Sequence, residues 1–300
     1  MKQASVRSGE LALSPDALDR RQERHRTWHY RLLRDRFTVG AGIVLLLIVL
    51  GSILAPFLTK YDPEQAQQGA RLLGPSVEHW FGTDELGRDV FSRILFGGRI
   101  SLTIGILAVG LALTIGGTLG LIAAYISKLD NLIMRLMDVL LSLPGILLAI
   151  AIVAALGPGV YEVMIAVGIG SIPVFARVTR SAVLGVRSET YIEAVRSLGA
   201  SDLRIIIRHI VPNSFAPVLV FATLQMATAI LSASILSFLG LGPQPPTPEW
   251  GAMVSAGRRY MTDAPHVVLV PGMAIFVVIL CFNLIGDGLR DALDPSVHDR

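Results

Sequence analysis

Three lysines, six histidines and a single cysteine are the groups this sequence offers for a phosphate-binding lysine, a histidine-held metal or a reactive thiol. A phosphate-cradling loop ends in Gly-Lys-Ser/Thr, because backbone N–H groups and an ammonium must meet the phosphates together. Lys2, Lys60 and Lys128 follow Met1, Thr59 and Ser127, so the sequence contains no Gly-Lys pair and no such loop. His25, His29, His79, His209, His266 and His298 lie outside the centres of the apolar runs and form no HExxH pair. Cys281 stands inside an apolar run, where a small buried hydrophobe is its expected role, and it has no second cysteine for a disulfide or a metal cluster. Ser171 has no histidine at similar depth to activate it. Two amides, Gln225 and Asn283, are the main polar groups within the apolar runs. They suit either hydrogen bonds between helices or the lining of a solute path.

The remaining functional candidate is mechanical. Tyr191 to Asp202, continuing to Pro212, is a charged island between long apolar runs. Thr190 and Glu193 have capping-box spacing for a first short helix. Tyr191, Ala194, Val195 and Leu198 would share its apolar face. Gly199 sits where a helix end needs a residue free to take positive φ. Ser201 would cap a second helix, with Asp202 at its positive end and Leu203, Ile206, Ile207 and Ile210 as its stripe. Pro212 would end that helix by pushing Val211 out of helical geometry. A paired-helix elbow of this kind is either a lever offered to a soluble partner or simply an amphipathic loop.

The elements that must carry the elbow are membrane helices. Of the 300 residues, 52% are hydrophobic and 16% charged, and the mean hydropathy is +0.61. Soluble domains carry nearer to a quarter charged residues. The expected class is an all-α membrane protein with six spans. The first, Phe37–Thr59, reads as a retained anchor rather than a cleaved signal. The others run from about Ile100 to Ser127, Leu132 to Ala155, Val160 to Val183, Ser214 to Leu239 and Val267 to Ile285. Gly116 and Gly120 have the spacing for close helix approach, Pro173 interrupts the fourth span, and Arg177 and Arg180 mark its exit. Arg135 and Asp138 should pair with each other. Val90, Phe91, Ile94 and Leu95 suggest a short amphipathic helix before Gly97-Gly98.

Residues 1–36 form a basic tail, with an interfacial helix expected near Trp28 and Tyr30. A flank of a first span explains its arginines better than nucleic acid does. The expected divisions are the tail at 1–36, the first span and external segment at 37–99, a transmembrane core at 100–292 and a second tail at 293–300. The bias of lysine and arginine places both termini and the elbow inside. The absence of ionisable groups at most span centres, and of an evident inverted repeat, disfavours a stand-alone ion-coupled carrier.

The elbow also resembles a known signature. Glu193-Ala194-Val195, then Gly199, then Pro212, is similar to the EAA signature of ABC-importer permeases. Val195 replaces the usual alanine, and Ile210 is displaced by one position, with His209 in its place. His79 to Arg93, Gln244 to Gly251 and Phe282 to Pro295 resemble segments of the C-type permeases of dipeptide and oligopeptide importers. The resemblance implies a type I importer permease in a bacterial inner membrane. Its partners would be a homologous B-type permease, two ATP-binding subunits, an extracytoplasmic solute-binding protein and the membrane lipid. ATP and magnesium would be held by the ATPase partners, with no cofactor in this chain. Glu193, Ala194, Val195, Gly199, Ala200 and Ser201 would seat the elbow on an ATPase. The runs around Pro144, Pro173 and Pro265 look most like glutathione-type permeases. Other members of the family carry dipeptides, oligopeptides, nickel chelates or opines.

Overall fold

A computed structural model describes Leu32, Leu33 and residues 35–293. The expected interfacial helix around Trp28 and Tyr30 and the tail beyond Leu293 lie outside the described residues. Among the described residues there is no β-strand, only an isolated bridge between Thr83 and Asp89. Five helices are long and apolar enough to cross a membrane, and a sixth crossing exists if one bent pair is counted as a span.

Helix α1, Arg36–Ile53, starts on an Asp35 cap whose carboxylate accepts from the N–H groups of Phe37 and Thr38. The first apolar run is not one helix. Leu54 breaks it, and the single turn α2, Ala55–Leu58, restarts with Pro56 at its first turn, where no N–H is needed.

Helix α3, Val90–Tyr125, is continuous for 36 residues, or ~54 Å at the usual rise. The expected short amphipathic helix is therefore the start of this span. Gly97 and Gly98 do not break it; they admit Trp250. A Cβ on Gly98 would stand 3.0 Å from the Trp250 ring. Trp250 is 1% exposed, and its Nε1 donates to the Ile94 carbonyl at 3.0 Å.

The glycine pair deeper in α3 acts as expected. A Cβ on Gly116 would lie 2.8 Å from the Phe175 Cβ, and one on Gly120 would lie 3.0 Å from the Arg180 nitrogen. Helix α6, Val160–Arg187, packs there with its backbone close to that of α3. It runs through Pro173 and continues well past Arg177 and Arg180, beyond the expected exit.

The third span is broken. Helices α4, Ser127–Leu141, and α5, Gly145–Leu156, meet at 85°. Pro144 lacks the donor a continuing helix needs and disfavours helical geometry at Leu143. Asp138 also departs from expectation: it pairs with Arg177 on α6 at 2.5 Å rather than with Arg135. Arg180 makes a second, two-pronged tie to Asp130, with both contacts at 2.6 Å. The amphipathic first half of the broken span is thus fastened to α6 by charge, where a continuous apolar helix would have used packing alone.

The short helices α7, Thr190–Ser197, and α8, Asp202–Ile205, form the elbow. A π-turn at Ile206–Ile210 leads into α9, Val211–Phe238. Helix α10, Trp250–Gly257, and α11, His266–Leu293, complete the described residues. Residues of α3, α6, α9 and α11 supply most of the main core. At one end, the segment before α3 is tied by buried polar contacts. Asp84 accepts from the Arg88 Nε at 2.7 Å, and His79 Nδ1 meets Asp89 at 3.0 Å. The elbow sits at the other end, against the C-termini of α3 and α6.

Candidate functional site

The elbow is rigid at its corner. Leu198 caps α7, and Gly199 takes φ +82°. The Gly199 N–H reaches the Arg196 carbonyl at 3.0 Å, and the Ala200 N–H reaches the Val195 carbonyl at 3.3 Å. This pair of bonds is a Schellman closure, and it satisfies carbonyls that would otherwise end the helix unpaired. Ser201 then holds the extended cap position of α8, although its side chain makes no capping bond.

Three expectations about the elbow need correction. The capping box does not form: Glu189 is the cap residue and Thr190 is already the first helical residue. The cap needs an extended backbone, which Glu189 adopts one residue earlier. The buried face is also rotated. Ile192 is 1% exposed, with Tyr191 and Val195 packed beside it, whereas Ala194 is exposed and Leu198 is 88% exposed. In the second helix Ile205 and Ile210 are buried, while Leu203 and Ile207 face outward. Finally, Pro212 does not end a helix. The Val211 N–H bonds the Ile206 carbonyl, five residues back, and the chain continues into α9. The π-turn and a bond from Asn213 Nδ2 to the His209 carbonyl at 2.6 Å repair the ladder that proline disrupts.

The seat under the elbow was not legible from spacing. Ile192, Ile205 and Ile210 form a small core with Ala124 of α3 and Val183 of α6. Arg187 donates to the Ala124 carbonyl at 2.7 Å, and its guanidinium lies 5.5 Å from the Tyr125 ring centroid. The Tyr125 hydroxyl donates to Asp202 of α8. Arg187 and Tyr125 stand 62 residues apart, so only the folded chain brings them together. Both elbow helices are thereby clamped to the ends of two core helices.

The opposite face is open. Glu193, Ala194, Leu198, Gly199 and Ser201 are exposed, while Val195 and Ala200 are half-buried at the edge. The result is a turn with one carboxylate, small residues and a projecting leucine, backed by a fixed seat. This geometry can transmit force.

The two amides are not brought together. Gln225 on α9 donates to the Ser171 hydroxyl of α6 at 3.2 Å. It borders a cavity of about 140 Å³ between α5, α6 and α9. Asn283 is exposed on α11.

The family model for the inner membrane component of binding-protein-dependent transport systems matches residues 116–299. The chain belongs to this family. The elbow lies wholly within the matched region, and so do the last part of α3 and helices α4 to α11 of this transport permease. A second model, the N-terminal transmembrane domain of oligopeptide transport permease C, matches residues 24–75. The permease is 51% identical over 269 residues to a glutathione transport system permease of Pectobacterium atrosepticum, covering 89% of each chain. It is 49% identical to a dipeptide transport system permease of Alkalihalophilus pseudofirmus, covering 89% of this chain and 88% of that one. Against a glutathione transport system permease of Escherichia coli O6:K15:H31, identity is 48% over 99% of this chain and 97% of the relative. Among solved structures, a chain of the MetNI methionine ABC transporter in an inward-facing conformation matches with TM-score 0.55 at 18% identity. The match covers 67% of this permease and 96% of that chain. The fold is that of ABC-importer permeases, and the chain is an integral inner-membrane protein.

Proposed function

We propose that this permease is one of two non-catalytic membrane subunits of a bacterial ABC importer for small peptides, and that separate ATP-binding subunits drive it through the elbow. One observation carries this reading: the elbow is clamped to α3 and α6 on one face and open on the other, with Leu198 projecting from its corner. In this reading Glu193 and Ala194 meet the ATPase cleft. Val195 and Ala200 tie that surface to the seat, and Gly199 and Ser201 set the angle between the two helices. The ATPases hold ATP and magnesium, and their closure draws two elbows together and rocks the permeases outward.

A homologous B-type permease would complete the path, and an extracytoplasmic binding protein would deliver solute to the end opposite the elbow. Both termini lie in the cytoplasm under this arrangement. The glutathione and dipeptide relatives support a peptide substrate, with glutathione the first to test. Gln225, beside its small cavity, is the better placed of the two amides to meet solute, since it faces α6 while Asn283 lies exposed on α11. The deciding experiment is transport in proteoliposomes with the neighbouring permease, ATPase and binding-protein genes co-expressed. Labelled glutathione or dipeptide should enter only with ATP and all partners present. Uptake by the chain alone under an ion gradient would overturn the proposal.

A further inference from the structure

At the end of the bundle away from the elbow, a cavity opens where the apolar part of the chain stops. Its apolar lining comes from Pro56, Phe96 and Ile100. Its rim carries Lys60 and Arg99 together with Asp62 and Glu64, from two stretches of chain. Arg99 is fixed in place: its Nε donates to the Ser52 carbonyl at 2.5 Å, its Nη2 donates to the Ile53 carbonyl, and its guanidinium stands 5.3 Å from the Phe96 ring centroid, which leaves Nη1 for a ligand. Lys60 and Glu64 are exposed, and neither forms an ion pair among the described residues. The rim therefore presents two cations and two carboxylates that have not neutralised one another. The neighbouring surface is greasy, since Leu54, Phe57 and Leu58 all face outward. Tyr61 also lines the opening, and tyrosine favours the boundary between lipid and water.

We infer that this cavity is a binding site for the headgroup of a zwitterionic phospholipid carrying a phosphate and a primary ammonium. The phosphate would sit between Lys60 and Arg99, and the ammonium against Asp62 and Glu64. The acyl chains would run down past Phe57 and Leu58. Three features select this ligand together. Paired charges of both signs match a zwitterion, whereas a purely anionic headgroup leaves the two carboxylates without a partner. N–H donors on the ammonium suit carboxylates better than a quaternary methylated nitrogen does. The apolar lining and the outward leucines and phenylalanine require an amphiphile. A free peptide shares the zwitterion but has no use for that apolar flank. The inference rests on the membrane placement of the chain and is independent of how ATPases engage the elbow.

The test is native mass spectrometry of the detergent-purified transporter complex, titrated separately with dioleoyl phosphatidylethanolamine, phosphatidylcholine and phosphatidylglycerol. Phosphatidylethanolamine should bind in preference to both others. The double variant Asp62→Asn/Glu64→Gln should reverse the order of phosphatidylethanolamine and phosphatidylglycerol. Lys60→Ala should weaken phosphatidylethanolamine by about fivefold, the upper range for one exposed charge contact. These exposed positions leave the fold intact, which a thermal melt of each variant checks. Equal binding of the three lipids, or an unchanged order in the double variant, would overturn the inference. Displacement of the bound lipid by a millimolar dipeptide would also overturn it, by showing a solute site instead.

Discussion

Gly199 offers a graded test of whether the elbow's angle matters. Its φ of +82° lies in the left-handed region, and no atom stands within 4 Å of where a Cβ would project. A substitution here meets no neighbour, so backbone strain is the whole cost. That strain is roughly 1–2 kcal/mol for an ordinary L-residue, less for asparagine and more for a β-branched side chain. A cost of this size reduces the population of the correctly turned corner by about 5- to 30-fold. Gly199→Asn, Gly199→Ala and Gly199→Val should therefore form an ordered series. In proteoliposomes containing the full importer, peptide delivered per ATP hydrolysed should fall in that order. Membrane insertion and the amount of permease recovered should stay level, because the main core lies elsewhere. Equal transport by the glycine and valine proteins would refute the argument that the corner sets the lever. So would a loss that follows side-chain volume without regard to β-branching.

Other perturbations probe the parts on either side of the corner. Glu193→Arg should abolish ATP-driven uptake while the protein still inserts, read as transport against surface-exposed permease. Asp130→Asn and Arg180→Ala should each lower the melting temperature of the purified permease slightly. Their double-mutant cycle should return a coupling of about 1 kcal/mol, because the two-pronged pair is only partly shielded from water. Glu249 caps α10 with its carboxylate 1% exposed, and burial holds its pKa above the ordinary glutamate value of 4.5. The folded protein thus binds this proton more tightly than the unfolded chain. The stabilisation is complete below the ordinary value and is lost as pH rises through the raised one. Limited proteolysis of the loop before α10 should accelerate across that window, and Glu249→Gln should flatten the dependence.

Local signals in the sequence were reliable where the responsible atoms are near in the chain. Gly199 had to turn a helix end, and Gly116 and Gly120 had to let another backbone approach; both follow from what a missing Cβ permits. The signals failed where two local rules competed or where a partner was remote. Pro144 broke the third span inside a run whose hydropathy alone predicted one straight helix. Pro212 looked like a stop, but a π-turn and the Asn213 side chain absorbed it. Asp138 had Arg135 within reach on its own helix yet pairs with Arg177, because α6 packs against that face. The seat of the elbow needs Tyr125 and Arg187 beside Asp202 and Ile192. No spacing rule connects those positions, although an arginine at the end of a span and a tyrosine at the end of another were the available hints. Leu198 misled in the other direction. Its spacing matched Tyr191 and Val195, but Leu198 is the cap residue beyond the last helical residue, and the buried face centres on Ile192.

What touches Leu198 decides how the permease is driven. Cys281 is buried, so a Cys281→Ala background carrying Leu198→Cys gives one reactive thiol at the elbow tip. In membranes holding the assembled transporter, a short bifunctional cross-linker should join position 198 to an ATP-binding subunit, identified by peptide mass mapping. The same reagent at Phe57→Cys, at the far end of the bundle, should not capture that subunit. A position 198 thiol that labels only from the extracytoplasmic side, or that never captures an ATP-binding subunit in an actively transporting complex, would contradict the account.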